Sequence, residues 1–177
     1  MSKRALIIVD MQRGLFSNAT PRHDANGLVR RLNRLAAKLR RDGDPVIYVQ
    51  HCGPVGDDLH RLQPGHTLHP DLEVAPHDII IEKSSCDAFL HTGLEEVLRD
   101  RGIIRLIVTG CASDFCVDTT VRSALARGYE TVVPVDGHTT ADRPHLSAVK
   151  IIEHHNAIWA DFISPAGPAQ LCRCEEL

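Results

Sequence analysis

The stretch RLIVTGCASDFCVDTT, residues 105–120, determines how the rest of the sequence is interpreted. It begins with an apolar run, breaks at Thr109 and Gly110, and continues after Asp114 with the spacing of an amphipathic helix. This pattern predicts a strand, a tight turn and a helix. Cys116 falls in the first turn of that helix, where unpaired backbone N–H groups and the helix dipole favour a negative charge. The position therefore suits a nucleophilic thiolate.

The same succession of strand and helix recurs along the chain. The apolar runs do not alternate with polar residues, and segments of helical periodicity lie between them, which is typical of a parallel sheet with helices on both faces. We predict five strands and a weaker sixth from these runs: residues 5–9, 45–49, 79–81, 106–108, 131–135 and 157–159. In such folds, ligands bind beyond the carboxyl ends of the strands.

Length and composition indicate one domain. A chain of 177 residues with 43% hydrophobic residues is long enough to bury one sizeable core and leaves little room for a second. We therefore predict a single domain over residues 1–177. A tail from about residue 164, which contains proline and glycine, is expected to be peripheral.

Charge and hydropathy exclude several classes of protein. The formal net charge of -3 and the 4% share of aromatic residues give no basic or base-stacking surface for nucleic acid. No apolar stretch reaches the roughly 20 residues that a membrane-spanning helix needs. The six cysteines show no CxxC pair, so reduced thiols are expected. These features together favour a cytoplasmic protein that binds neither nucleic acid nor membrane.

Three chemically reactive side chains lie at the ends of predicted strands or just past them. Asp10 follows the first strand, Lys83 follows the third, and Cys116 follows the fourth. The carboxyl ends of parallel strands share one edge of the sheet, so the three side chains are expected to converge there. An acid, an ammonium and a thiol in contact would make an activated nucleophile, with the carboxylate as general base.

A family resemblance makes this expectation specific. The segments VDMQ (9–12), EK (82–83), DAF (87–89) and TGCASDFCVDTT (109–120) resemble the motifs of the isochorismatase-like cysteine hydrolase superfamily, which includes nicotinamidase-related amidohydrolases. The motifs occur in the family's order and spacing, and the resemblance extends from Ala5 to about Ile163. It implies an α/β, Rossmann-like fold: a three-layer sandwich with a six-stranded parallel sheet.

The resemblance also implies a reaction and the residues that carry it. Asp10, Lys83 and Cys116 correspond to a catalytic triad that hydrolyses an amide-type C–N bond of a small molecule through a cysteine thioester. Asp10 is then the general base, and Lys83 supports it. A cis peptide bond is expected between Cys111 and Ala112. The backbone N–H groups of Ala112 and Cys116 are expected to form the oxyanion hole, whose donors are worth roughly 3 to 4 kcal/mol each.

Other residues in or near the matched motifs are weaker candidates for the substrate pocket. They are Gln12, Phe16, Phe89 and Cys111, and for the two phenylalanines and the cysteine core packing is an equally open interpretation. The family resemblance further implies a homodimer or a higher homo-oligomer.

No cofactor and no metal are expected. The metal-dependent nicotinamidase branch carries an Asp-x-His pair after the second strand, whereas residues 50–52 here are Gln-His-Cys. Three alternatives stay open: a nicotinamidase-like amidase with a metal, an isochorismatase-type vinyl-ether hydrolase, and a catalytically silent binding or thiol-sensing relative. A metal would have to come from histidines in and beside the long loop of residues 53–76: His51, His60, His66 and His69.

Overall fold

The computed structural model describes residues 3–16 and 21–177. Within these ranges the chain forms a seven-stranded sheet in which every pairing is parallel. The strands are β1 (Arg4–Val9), β2 (Val46–His51), β3 (Ile79–Lys83), β4 (Arg105–Cys111), β5 (Glu130–Pro134), β6 (His138–Thr139) and β7 (Gln170–Cys172). The α-helices are α1 (Arg13–Phe16), α2 (Ala25–Arg41), α3 (Leu94–Asp100), α4 (Asp118–Ala126) and α5 (Ala148–Ala160).

The order of the strands determines where a ligand can bind. The sheet runs β3-β2-β1-β4-β5-β7, and the short β6 pairs with β4. The chain builds outward from β1 to β3 on one side and then returns to start β4 on the other side of β1. The order of strands therefore reverses between β1 and β4, where Val9 lies beside Gly110. The crevice beyond the carboxyl ends of these two strands is the expected binding position in such sheets.

Strand β1 shows why its sequence is apolar without interruption. Ala5, Ile7 and Val9 point into one hydrophobic cluster, which includes residues of α3 and α4, and Leu6 and Ile8 point into another, which includes the buried face of α2. Because successive side chains face opposite sides of the sheet and both sides are covered, both sets must be apolar. The predicted α/β fold, a parallel sheet between two layers of helices, is confirmed.

The C-terminal part of the chain differs from the prediction. Residues 157–159, predicted as a sixth strand, are the end of α5. Ala148, Ile151 and Trp159 are buried along one side of this helix at helical spacing, which a three-residue apolar run could not reveal. The outer strand is instead β7, in the segment expected to be peripheral, and it pairs with β5. In the described ranges, no helix is both long and apolar enough to cross a bilayer.

Candidate active site

The backbone turns sharply where β1 ends, and this turn positions Asp10. Asp10 has a φ of 48°, in the left-handed region that aspartate tolerates better than most residues. Its N–H donates to the carbonyl of Val49 at 2.8 Å, and the residue is only 1% exposed. On the neighbouring strand, a Cβ added to Gly110 would lie 2.1 Å from the carbonyl oxygen of Val9. Glycine is therefore required for β4 to approach β1 this closely.

Lys83 connects the acid and the thiol. It is the last residue of β3, and its side chain is fully buried. Its Nζ lies 2.7 Å from Oδ2 of Asp10, 2.9 Å from the carbonyl oxygen of Ser85 and 3.2 Å from Sγ of Cys116. These three contacts use the three N–H donors of the ammonium group. The structure thus brings together Asp10, Lys83 and Cys116, which the sequence placed at separate strand ends.

Cys116 lies in a π-helical turn, Ser113–Val117, between β4 and α4. The turn is closed by a hydrogen bond from the N–H of Val117 to the carbonyl of Ala112 at 3.1 Å. The peptide bond between Cys111 and Ala112 is cis. The hydroxyl of Ser113 lies 2.7 Å from Nδ1 of the buried His138, so the start of the turn is held against β6.

Burial and charge set the protonation of these groups. Burial raises the pKa of Asp10, and the positive charge of Lys83 opposes this effect without cancelling it. Burial also raises the pKa of the Cys116 thiol, and the negative charge of Asp10 adds to the increase. Burial alone would lower the pKa of Lys83, but the negative charge of Asp10 raises it. The resting site therefore holds an Asp10–Lys83 ion pair beside a neutral thiol.

This protonation corrects the expectation that the helix start favours a thiolate at Cys116. The dipole of one short turn does not outweigh the removal of the sulfur from water and the neighbouring carboxylate. A neutral thiol becomes a strong nucleophile only when a neighbouring base takes its proton. Among the described residues, Oδ1 of Asp10 is buried with no hydrogen-bond partner, so it is a free acceptor for that proton.

A cavity of about 260 Å³ opens above these groups. This volume is slightly below the roughly 300–1,000 Å³ of typical small-molecule sites, so the cavity suits a small ligand. Its lining residues come from both sides of the β1–β4 junction and from the loops beyond it: Asp10, Leu15, Arg22, His51, Leu59, Cys86, Cys111, Ala112, Phe115, Cys116 and Arg143. A larger cleft of about 480 Å³ runs along α2, away from these reactive groups.

The structure places only one of the four predicted pocket residues on this cavity. Cys111 lines it, and burial raises the pKa of its thiol to about 12. The side-chain amide of Gln12 instead forms hydrogen bonds with the backbone, donating at 2.9 Å to the carbonyls of His51 and His66. Phe16 packs edge-on against the ring of His69 at 5.2 Å.

Phe89 belongs to the hydrophobic core rather than to the cavity. It is 5% exposed and stacks on Tyr129, with 5.9 Å between the ring centroids. The guanidinium of Arg127 covers it at 4.7 Å from the centroid. Gln12, Phe16 and Phe89 are therefore not among the residues that line this cavity, and their role in a substrate pocket stays a prediction.

Several lining residues were not predicted. His51 was considered only as a metal ligand, yet it lines the cavity, and burial together with the charge of Lys83 lowers the pKa of its imidazole. Arg143 donates to both carboxylate oxygens of Asp114, at 2.8 and 3.0 Å, and its guanidinium lies over the ring of Phe115. Arg22 reaches the cavity from the segment before α2.

Two of the four histidines proposed as metal ligands in the alternative interpretation hold local backbone contacts, whereas Nδ1 of His51 and Nε2 of His66 are buried without a hydrogen-bond partner among the described residues. Nδ1 of His60 accepts from the N–H of Leu62, and Nδ1 of His69 accepts from the N–H of Asp71. Across residues 3–16 and 21–177, no group of three or more His, Cys, Asp or Glu side chains is arranged to hold a metal ion. The absence of a metal requirement stays a prediction.

Comparison with known proteins gives consistent matches. A family model for the isochorismatase domain matches residues 4–162. A streptothricin hydrolase from Streptomyces noursei is 35% identical over 141 residues, which are 80% of this chain and 56% of that protein. A second streptothricin hydrolase is covered to 51%, so the chain spans about half the length of these curated relatives.

Two further relatives are matched over more of their length. The ureidoacrylate amidohydrolase RutB of Methylorubrum extorquens is 30% identical, and the match covers 80% of this chain and 71% of that protein. The crystal structure of an isochorismatase from Pseudomonas putida superposes with a TM-score of 0.89 at 31% identity, covering 99% of this chain and 90% of that one.

Proposed function

Because the chain belongs to the isochorismatase family, as its motifs predicted, we propose that it is a hydrolase that cleaves an amide-type C–N bond of a small molecule. The bond is cleaved through a thioester on Cys116. One observation carries the proposal: Lys83 Nζ lies 2.7 Å from Asp10 and 3.2 Å from the Cys116 sulfur, and Asp10 and Cys116 line the same cavity. The names of the relatives, a hydrolase and an amidohydrolase, support the class of reaction.

The first half of the reaction begins with a proton transfer. Oδ1 of Asp10 takes the proton of the Cys116 thiol as the sulfur attacks the substrate carbonyl carbon. The raised pKa of Asp10 makes it a stronger base than an exposed aspartate, which matches the weak acidity of the buried thiol. The backbone N–H groups of Ala112 and Cys116 hold the oxyanion, each contributing about 3 kcal/mol.

The second half regenerates the enzyme. Asp10 returns its proton to the departing nitrogen, the C–N bond breaks, and the acyl group stays on the Cys116 sulfur. Water then gives a proton to Asp10 and adds its oxygen to the thioester carbonyl carbon. Collapse releases the carboxylic acid and restores the thiol with the proton from Asp10. Lys83 stays charged throughout and keeps the carboxylate and the sulfur in contact.

Trapping the acyl group on the protein tests this function. We expect mass spectrometry of the intact chain, after incubation with a panel of small primary amides and ureido compounds, to detect an acyl adduct that maps to Cys116. Cys116→Ala should abolish both the adduct and the release of ammonia. Cys172→Ala, which removes another partly buried cysteine on β7, is the matched control and should leave both intact. Full turnover by Cys116→Ala would rule out the thioester mechanism.

The metal-dependent alternative has its own test. We expect protein purified without added metal to hold no stoichiometric metal, and its turnover to be unaffected by a chelator. Loss of activity in chelator that returns with one added metal ion would favour the nicotinamidase-like alternative.

A further inference from the structure

One arginine that lines the cavity, Arg22, has no ion-pair partner among the described residues. Asp10 is the lining residue with a carboxylate, and it pairs with Lys83 at 2.7 Å. Of the two arginines that line the cavity, Arg143 pairs with Asp114 at 2.8 Å. Arg22 lines the same cavity and, within residues 3–16 and 21–177, has no carboxylate within 4 Å. Among the described residues that line the cavity, Arg22 is therefore a cation without an ion-pair partner.

Arg22 is held in place by its surroundings. Its backbone forms an antiparallel bridge with Ala141, and the N–H of the next residue, His23, donates to the carbonyl of Thr140 at 2.8 Å. Its side-chain Nε donates to the carbonyl of Leu15 at 2.9 Å, and Leu15 also lines the cavity. This arrangement fixes the guanidinium, and within residues 3–16 and 21–177 its two terminal nitrogens make no hydrogen bond. A planar pair of N–H donors of this kind fits a carboxylate.

Building on the proposed function, we propose that Arg22 binds a carboxylate of the substrate, so that the enzyme acts on small amides or ureido compounds that carry a free acid at their other end. One unpaired cation matches one negative charge, whereas a phosphate dianion would leave a charge uncompensated in a small cavity. The side chains of Leu15, Leu59 and Phe115 line the same cavity and fit a short apolar linker between the two ends.

Pairs of substrates that differ only in the charged end test this assignment. We would compare succinamate with 4-oxopentanamide, and glutaramate with 5-oxohexanamide, in which a methyl ketone replaces the carboxylate at similar size. A charge-assisted hydrogen-bond pair predicts that kcat/KM of the acid exceeds that of its neutral partner by about 10- to 100-fold. Arg22→Gln should bring this ratio close to one, mainly through an increase in KM for the acids.

A matched control removes a charge elsewhere. Arg34→Gln deletes an exposed arginine of α2, away from the cavity, and should keep both the ratio and the activity of the wild type. Equal thermal midpoints of the two variants would show that Arg22→Gln is folded. Equal kcat/KM for acid and neutral amide in the wild type would overturn the proposal, and so would an equal loss for both in Arg22→Gln.

A binding measurement separates this proposal from the proposed function. Calorimetric titration with butanoate needs no turnover, and we expect Arg22→Gln to weaken its binding at least tenfold relative to Arg34→Gln. If no amide is cleaved but butanoate binds through Arg22, the proposed reaction fails and the anion site stands. If amides are cleaved but butanoate binding does not depend on Arg22, the anion site fails alone.

Discussion

Replacing Lys83 by methionine tests the central ion pair. The change keeps the buried aliphatic stem and removes the ammonium group, so the Asp10 carboxyl, 1% exposed, loses its ion-pair partner. An unpaired carboxylate buried in this way takes up a proton. Because Asp10 was already pushed towards the protonated form by burial, Lys83→Met should leave it neutral at pH 7. A neutral Asp10 cannot accept the proton of the Cys116 thiol, and turnover should be lost.

The cost to stability follows from the proton that Asp10 must bind. In the unfolded chain an aspartate has a pKa of about 3.9, and each pH unit above it costs about 1.36 kcal/mol to protonate. The variant should therefore lose about 4 kcal/mol of unfolding free energy at pH 7 but only about 1.5 kcal/mol at pH 5. The folded-state pKa is raised above the unfolded value, so stability falls as pH rises, with a difference of about 2.7 kcal/mol across this window.

Urea unfolding of wild type and variant at pH 5, 6 and 7 measures the effect. The control is the double variant Asp10→Asn with Lys83→Met, which buries a neutral amide and a thioether. In a double-mutant cycle its stability should lack the pH dependence that Asp10 gives the single variant. Equal losses for Lys83→Met at pH 5 and pH 7 would refute the reasoning, because they would show that no proton is taken up on folding.

Three further outcomes are expected. Gly110→Ala, which places a Cβ 2.1 Å from a carbonyl oxygen at a φ of 119°, should lower the unfolding free energy by about 3 kcal/mol or more in urea. Burial lowers the pKa of His138 to about 4. As the pH falls from 6.5 to 4, the wild type should therefore lose about 3 kcal/mol of unfolding free energy. His138→Gln should reduce this pH dependence in the same urea unfolding assay. Asp114→Asn releases Arg143 from its carboxylate and should tighten butanoate binding by calorimetry on the order of fivefold, about 1 kcal/mol.

The sequence was sufficient to predict strands β1 to β5 and the edge of the sheet at which the reactive groups lie. Strand β1 is apolar without interruption because both of its faces are covered, and that pattern can be recognised without a structure. Parallel strands place their carboxyl ends at one edge, so Asp10, Lys83 and Cys116 were expected to meet. The prediction for the C-terminal region was wrong because the pattern there is too short. Three apolar residues at 157–159 fit a strand or a helix equally well.

The lining of the cavity was not predictable in the same way. Gln12 and Phe89 lie close in sequence to reactive residues, but sequence distance does not say towards which side a side chain points after a turn. Arg22 reaches the cavity because its backbone pairs with Ala141, more than a hundred residues away. Arg143 is likewise held by Asp114. Contacts of this kind depend on the completed fold and leave no local pattern in the sequence.

Because β3 lies at the edge of the sheet, we expect it to open before the central strands do. Among the named strands β3 pairs only with β2, and Ile80 within it is 50% exposed. Edge elements with few buried contacts open at a lower free energy than the central strands. Lys83 is the last residue of this strand, so local opening of the edge disconnects the ammonium from its partners while β1 and β4 remain paired. On heating, activity should therefore decline before the sheet melts, and amide hydrogens of β3 should exchange faster than those of β1.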